Sequence, residues 1–409
     1  MLFKKTLDKQ LAKRPKDVFY CTKCVVSNQR PRITFDEHGV CSACNYAHLK
    51  HNVIDWEEKA QMLSELLGKF RSQDGSYDCI VPGSGGKDSA FVAHLLKYKY
   101  GMHPLTITWA PFMYTDIGWK NYVAFKDHGF DNLLFFPNGK LHRKLARLAF
   151  ELHGDAWDPF AYGQKNYAFH VAVKFNIPLI FYGESGELEY GGSTKNIKKP
   201  FESPDDFKDL YYKGSGIDEL VEHGLEAGLF TKDEVRDNPV EFYKTPELKL
   251  MQTLNPEMHW MSYYKKWVPQ ENYYYSVENT GFTANHVRSE GTYSKYASLD
   301  DKTDGFHFYL AYIKFGIGRS TSDAAHEVRD GHLTREDAIA LVKRYDGEFP
   351  KRYFPDFLSY LGLTEKEFWE VIDFYRELSP HLWSRINGEW RLRHTVWGSG
   401  VDDAAKGAI

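Results

Sequence analysis

Between residues 79 and 182 the chain alternates short apolar runs with stretches of helical periodicity. The runs at 79–81, 105–109, 133–136 and 178–182 read as buried strands, and the alternation predicts a parallel, doubly wound α/β sheet. A later run, 258–264, reads as a strand that completes it. Ahead of the first strand, Asp55 with Glu58 three residues on, followed by Trp56, Leu63, Leu66, Leu67 and Phe70, predicts a capped amphipathic helix. Residues 191–215 read as a polar connector, Thr231 and Glu234 cap a helical insert, and the C-terminal region reads as mostly helical, with starts near Ser320, Thr334 and Thr364. These breaks suggest boundaries of 1–54, 55–268 with an insert at about 205–250, and 269–409.

The first strand runs into Gly83-Ser84-Gly85-Gly86-Lys87-Asp88-Ser89. A glycine turn that opens a helix lets consecutive backbone N–H groups, Ser84 and Lys87 converge on one anion, and a phosphate chain is the expected ligand. Asp88 stands where a Walker loop requires Ser or Thr after the lysine, which excludes that ATPase class. The fourth strand ends in a second glycine-rich loop, Gly183 to Gly192, carrying Glu184, Glu187 and Glu189. Magnesium prefers a few carboxylate oxygens beside phosphate and water, so Glu184 and Glu187, with Asp88 as a third, are candidate ligands. Glu189 reads at least as well as a solvated acid.

Four of the five cysteines form two pairs, Cys21-x-x-Cys24 and Cys41-x-x-Cys44. Their separation falls within the roughly 15–20 residues of a four-thiolate structural zinc site. An iron–sulfur cluster on the same thiolates, or disulfides, are the alternatives. Zinc is favoured because the segment between the pairs reads as a hairpin around residues 36–39, and a closed four-sulfur shell makes the ion structural. It should fix a small docking or lid module.

Composition narrows the partners. A formal net charge of −4 gives no general polyanion surface, so nucleic acid is disfavoured. The 27 tyrosines and 28 phenylalanines read first as core. No apolar run reaches the ~18 residues of a membrane span, and a cytoplasmic setting is expected.

The string Ser84-Gly85-Gly86-Lys87-Asp88-Ser89 resembles the signature of the PP-loop ATP pyrophosphatases, whose sheet is of the HUP-like type. In those enzymes the loop grips the outer phosphates of ATP and the α-phosphate is attacked, leaving AMP and pyrophosphate. The resemblance implies ATP binding by residues 84–89, with Gly183 and Glu184, and adenine against Trp109 at the end of the second strand. Taken with the four cysteines, the segment Glu290 to Tyr296, Asp300-Asp301 and the stretch Ile313 to Ser320, the chain is similar to the N-acetyl sugar amidotransferases of bacterial surface polysaccharide biosynthesis.

That similarity implies adenylation of an acetamido oxygen, attack by ammonia and formation of an acetamidino group. The catalytic candidates are Lys87, Asp88 and Arg319, and Lys295 and Arg319 are the cations for an acidic or nucleotide-linked sugar. A glutaminase cysteine is not visible, so ammonia is expected from a separate glutaminase pair. Two rival readings stay open: a PP-loop tRNA thiolase, and a non-catalytic module binding zinc and nucleotide.

Overall fold

Side chains of a strand alternate between the two faces of a sheet, and a strand with helices on both faces must therefore be apolar throughout. The computed structural model describes residues 2–237 and 240–399. Strands β1 (Cys79–Pro82), β2 (Pro104–Trp109), β3 (Asn132–Phe135), β4 (Leu179–Tyr182), β5 (Phe201–Glu202) and β6 (Glu257–Trp260) form one sheet in the order β3-β2-β1-β4-β6-β5. All pairings are parallel except β5 with β6. Ile80, Ile107, Ile180 and Met258 point into one core, whereas Cys79, Val81, Leu179 and Phe181 point into the other. The doubly wound α/β sheet expected from the sequence is thus present. Its late strand ends earlier than expected, at Trp260, and 261–264 turn into a helical segment. Short structure also interrupts the expected connector, because β5 adds an antiparallel edge within 191–215.

Cys41 is the N-cap of α1 (Ser42–Asn52) and Cys44 lies in its first turn, while Cys21 and Cys24 come from an earlier turn. Instead of a full hairpin between the pairs there is one bridge, Phe35 with Cys41, closed by a turn in which Asp36 N–H donates to Val40 O at 3.0 Å. The four sulfurs lie within 4.8 Å of one another, with Cys21–Cys44 at 3.8 Å and Cys24–Cys41 at 3.7 Å. A tetrahedron of thiolates around zinc at ~2.3 Å has edges of about 3.8 Å, so the donors fit a single ion and leave no room for a cluster with its own sulfides. Backbone N–H groups of Lys23, Cys24 and Cys41 already point at Cys21 Sγ, at 3.4, 3.4 and 3.3 Å.

One face of the sheet is covered by α2 (Trp56–Phe70), α3 (Lys87–His94) and α4 (Asp116–Asp127), the other by α5 (Gly139–His153) and α6 (Asp158–Phe175). Asp55 caps α2 by accepting from the Glu57 and Glu58 amides. A short helix, α7 (Gly186–Tyr190), follows β4, and α8 (Pro269–Asn279) lies on α3, where Ser276 Oγ donates to Lys87 O at 2.7 Å. The C-terminal region is built from α9 (Asp304–Phe315), α10 (Arg319–Arg329), α11 (Arg335–Tyr345), α12 (Phe354–Leu361) and α13 (Glu365–Glu377). Thr334 caps α11, and Thr364 with Glu367 forms a capping box on α13. A hairpin, β7 (Trp383–Ile386) with β8 (Glu389–Leu392), closes on Asn387-Gly388, both at positive φ. No helix among the described residues is long and apolar enough to cross a membrane.

The cysteine segment is sewn into the protein. Its sulfurs share one core with α9 to α13, and Arg335 donates to Cys24 O and Cys21 O at 3.1 and 3.3 Å. From α1, the buried Lys50 Nζ reaches Glu189 and Asp330 at 3.0 Å each and Trp267 O at 2.9 Å. Glu189, expected to be solvated, has a side chain only 2% exposed because this ammonium and His326 enclose it. Burial alone would raise both acids, yet His326 and Lys50 hold Glu189 and Asp330 below their usual range.

Two outcomes follow from this packing. Stripping the ion with a strong chelator, or Cys24→Ser, should release a stoichiometric metal by elemental analysis and lower the melting temperature by several degrees, since binding and folding share one free energy. Lys50→Met should destabilise by ~3–5 kcal/mol at neutral pH, because two buried carboxylates lose their counter-ion. Glu189 and Asp330 titrate low in the folded state, so their stabilising share exists above the unfolded value of about 4 and is lost as pH falls through the folded values. The gap between wild type and Lys50→Met, measured by urea unfolding, should therefore narrow below about pH 4.

Candidate active site

In an open parallel sheet the strand order reverses at one point, and the loops leaving the carboxyl ends there splay apart. Here that point lies between β1 and β4. A cleft of about 270 Å³ opens above it, lined by Ser84, Gly86, Lys87, Asp88, Glu184, Tyr190 and Arg319 on one side and by Gly118, Asn121, Phe282 and residues 296–300 on the other.

The loop after β1 is shaped by glycines that nothing larger could replace. A Cβ on Gly83 would fall 2.2 Å from that of Ser89, and Gly85, at φ +87°, would meet the backbone of Asn121 and Tyr122 at 2.8 Å. Gly86 then caps α3, so the first free amides of that helix face the cleft. Thr108 Oγ1 donates to Gly83 O at 2.6 Å and fixes the loop to β2. Ser89 Oγ is spent within the loop, donating to Gly86 O at 3.1 Å.

The charges in the cleft are unevenly matched. Lys87 Nζ donates to Asp88 Oδ2, whereas Asp88 Oδ1 is buried with no hydrogen-bond partner. Glu184 faces the same carboxylate, and burial together with Asp88 pushes its pKa up to about 8, although Lys87 opposes the shift. The unpartnered Asp88 Oδ1 and the neighbouring Glu184, set beside a glycine turn, are hard oxygens of the kind that magnesium takes. The opposite wall adds Asp300, raised by burial, whose Oδ2 accepts from Ser84 Oγ at 2.5 Å.

Arg319 opens α10. The N-cap glycine before it is held by Asp346, which accepts from Gly318 N–H at 2.9 Å, Thr321 N–H at 3.0 Å and Thr321 Oγ1 at 2.7 Å. The guanidinium rests on the Phe308 ring at 4.3 Å and pairs with Asp323 at 3.0 Å, and that pairing raises its pKa despite burial.

Six of the residues singled out in the sequence therefore meet around one cleft: Ser84, Gly86, Lys87, Asp88, Glu184 and Arg319. Others do not. Glu187 turns away and is held bidentately by Arg32, at 2.9 and 2.5 Å, with the Ser193 amide filling its remaining side, so it has no oxygen left for magnesium. Trp109 is 4% exposed, its ring over Gly163 and against Tyr243 and Phe135; it belongs to the core beneath the sheet edge and does not line the cleft. Lys295 is exposed and outside the cleft, although its neighbour Tyr296 lines it. Gly183 packs on Trp267 one residue short of the opening.

On the far wall Tyr296 and Asp300 fall in segments that carry the family resemblance, but no site role was read for them or for Asn121. Asn121 both donates to Thr283 O and accepts from Thr283 N–H at 2.9 Å, which draws 282–283 onto the start of α4. Thr115 caps that helix, and Gly118 lies where a Cβ would come 2.4 Å from Asp300 Cα. A capped helix with a glycine in its first turn, straight after a strand, was the available signal.

The family described as LPS biosynthesis protein WbpG-like, C-terminal domain, matches residues 290–396. An uncharacterized protein of Methanocaldococcus jannaschii is 32% identical over 88 residues, 21% of this chain, and the chain spans only 31% of that relative's length. Among solved structures, an NH3-dependent NAD synthetase from Campylobacter jejuni, in complex with a nitrate ion, is similar over 50% of this chain and 93% of its own, at 18% identity and a TM-score of 0.26. The C-terminal match contains Asp300 and Arg319, two residues that line the cleft, and over this region the chain is similar to the WbpG-like proteins of LPS biosynthesis.

Proposed function

We infer that the protein is an ATP-dependent amidotransferase that turns the acetamido group of an N-acetylated sugar into an acetamidino group, releasing AMP and pyrophosphate. The observation that carries this reading is the pairing of a phosphate-shaped loop, Ser84 to Lys87, with the unpartnered Asp88 Oδ1 and the neighbouring Glu184 at the switch point of the sheet. The WbpG-like C-terminal region supports a sugar of surface polysaccharide as the acceptor class.

An amide carbonyl is a poor electrophile because nitrogen donates into it. Attack of its oxygen on the α-phosphorus gives an O-adenylyl imidate, with AMP as leaving group. Such a transfer needs positioning and charge stabilisation more than covalent help from the protein. The amides at the start of α3 and Ser84 Oγ hold the outer phosphates, and Lys87 Nζ meets the charge that develops on departing pyrophosphate. Asp88 and Glu184 are the residues that would hold Mg²⁺, which when bound supplies further neutralisation of the phosphate oxygens. Arg319, which lines the cleft beside Tyr190, is the cation for the acceptor side.

Ammonia is proposed to come from a separate glutaminase. The four paired cysteines are enclosed, and Cys79 is fully buried, with its thiol pushed up by burial. That burial also counts against the tRNA thiolase reading, since Cys79 is no exposed sulfur carrier. The sulfur geometry supports zinc as the structural ion, and use of ATP with reduced thiols suits a cytoplasmic setting.

The direct test is mass spectrometry of products formed from ATP, Mg²⁺, ammonium and a panel of diacetamido sugars. AMP, pyrophosphate and a sugar lighter by about one mass unit are expected, and ADP with orthophosphate would end the proposal. Lys87→Ala should cut turnover by ~10²-fold or more with metal content unchanged. Glu184→Gln should separate stability from activity: with its pKa near 8 the Glu184 carboxyl is charged only above that pH, so above pH 8 the ligand-free variant should melt slightly higher than wild type, while turnover falls by a similar factor. A melting point that drops, or activity that survives, would show that Glu184 is not poised as argued.

A further inference from the structure

A second cavity, about 420 Å³, lies behind the cleft and shares two of its lining residues, Tyr190 and Arg319. Its volume falls in the range of small-molecule sites. Rings from Tyr190, Tyr211 and Phe308 line it together with Arg30, and His307. Most cations there already have acids: Arg32 has Glu187, Lys213 has Asp155 and Asp158, Lys314 has Asp8, and Arg319 has Asp323. Arg30 differs. It has no carboxylate within ion-pair distance among the described residues, it meets the Tyr190 ring at 5.9 Å, and burial draws its pKa down to about 10.

His307 has the arrangement of an oriented base. Its Nδ1 lies 2.9 Å from Asp155 Oδ2 and 3.1 Å from Oδ1, and its ring leans on Trp157. The carboxylate fixes the proton on Nδ1, which leaves the Nε2 lone pair without a protein partner among the described residues. Asp155 is ionised: burial opposes this, but His307, Lys213 and Lys314 together hold it well below the carboxylate range. The charged groups around the ring are thus Asp155 from the loop after α5, Lys213 from the connector, and Lys314 and Arg319 from α9 and α10.

We propose that this cavity receives the anionic N-acetylated sugar, its carboxylate or diphosphate taken by Arg30, and that His307 is the general base of the second half-reaction, with Asp155 as its positioning residue. The inference rests on the adenylation reading and deepens it. The acetamido group passes between Tyr190 and Arg319 to reach the α-phosphorus. After adenylation, ammonia forms a C–N bond to the imidate carbon and gives a tetrahedral adduct bearing –NH3⁺. His307 Nε2 takes one of those protons, and the freed nitrogen lone pair forms C=N as the C–O bond breaks and AMP leaves with its electron pair. The imidazolium is stabilised by Asp155 and returns its proton to solvent.

The test divides the reaction in two. Acceptor-dependent exchange of labelled pyrophosphate into ATP reports the first half, and amidine formation with ammonium reports the whole, both with UDP-N-acetylglucosaminuronate as the probe acceptor. In His307→Gln, amidine formation should fall by ~10²-fold or more while exchange falls far less, and the acidic limb of the pH–rate profile should vanish. Asp155→Asn should shift that limb rather than abolish it. Calorimetry of probe binding should show Arg30→Gln weakened by about tenfold or more. Equal loss of both halves in His307→Gln, or an unchanged amidine rate, overturns the base; unchanged probe affinity in Arg30→Gln overturns the cavity. Calorimetry needs no turnover, so wild-type protein that binds the probe without exchange would refute adenylation while leaving the sugar cavity standing.

Discussion

Lys50 stands where three pieces of chain would otherwise part. Its ammonium, 1% exposed, joins the helix of the cysteine segment to Glu189 on the loop after β4 and to Asp330 at the end of α10. A buried ion pair is rarely a large net source of stability, because desolvation offsets much of the attraction. What it does well is penalise every arrangement in which one partner is missing. Arg329 extends the constraint, with Nη2 donating to Glu189 O at 2.9 Å and Nη1 3.9 Å from Cys24 Sγ. The four-cysteine shell, the β4 loop and α10 are therefore set in one frame, and Glu184, Tyr190 and Arg319 inherit their positions from it.

That frame explains which parts of the chain could be read from sequence. Strands 79–82, 104–109 and 179–182 were legible because burial on both faces makes their apolarity continuous, and 132–135, a half-buried edge strand, because its Leu133-Leu134-Phe135 run is apolar as well. The phosphate loop was legible because steric limits at Gly83 and Gly85 leave few residues able to occupy those places. The β7–β8 hairpin carried a plain signal, Asn387-Gly388, that was passed over. Side-chain direction was the harder matter. Glu184 and Glu187 sit three residues apart on one acidic loop, yet the first faces Asp88 and the second Arg32, and Arg32 lies 155 positions away in the chain. Trp109 and Lys295 failed for the same reason: a residue's place on a strand end or loop does not say which way its side chain leaves.

The cleft crowds acids against few cations. Lys87 and Arg319 line one side with Asp88 and Glu184, and Asp300 faces them from the other wall. Without a ligand this is an unfavourable concentration of acid in a dry place, visible in the raised pKa values of Glu184 and Asp300. Strain of this kind persists where surrounding structure over-determines it, and it is relieved when cations and phosphate arrive together. The arrangement favours a ligand that brings its own divalent counter-ion over a bare anion.

In isolation the cysteine segment reads as a small docking or lid module. Its sulfurs are enclosed, its carbonyls are held by Arg335, and its core is continuous with that of the C-terminal helices. A piece of chain so constrained cannot swing as a lid without breaking the Lys50 and Arg329 contacts. Its outer edge, however, forms one wall of a larger groove of about 820 Å³, where Arg30, Pro31 and Arg32 continue into the second cavity. The segment is thus a rigid wall: the cysteine turns, which could hold one ion, present Arg30 to the second cavity, and Arg32 beside it is held by Glu187.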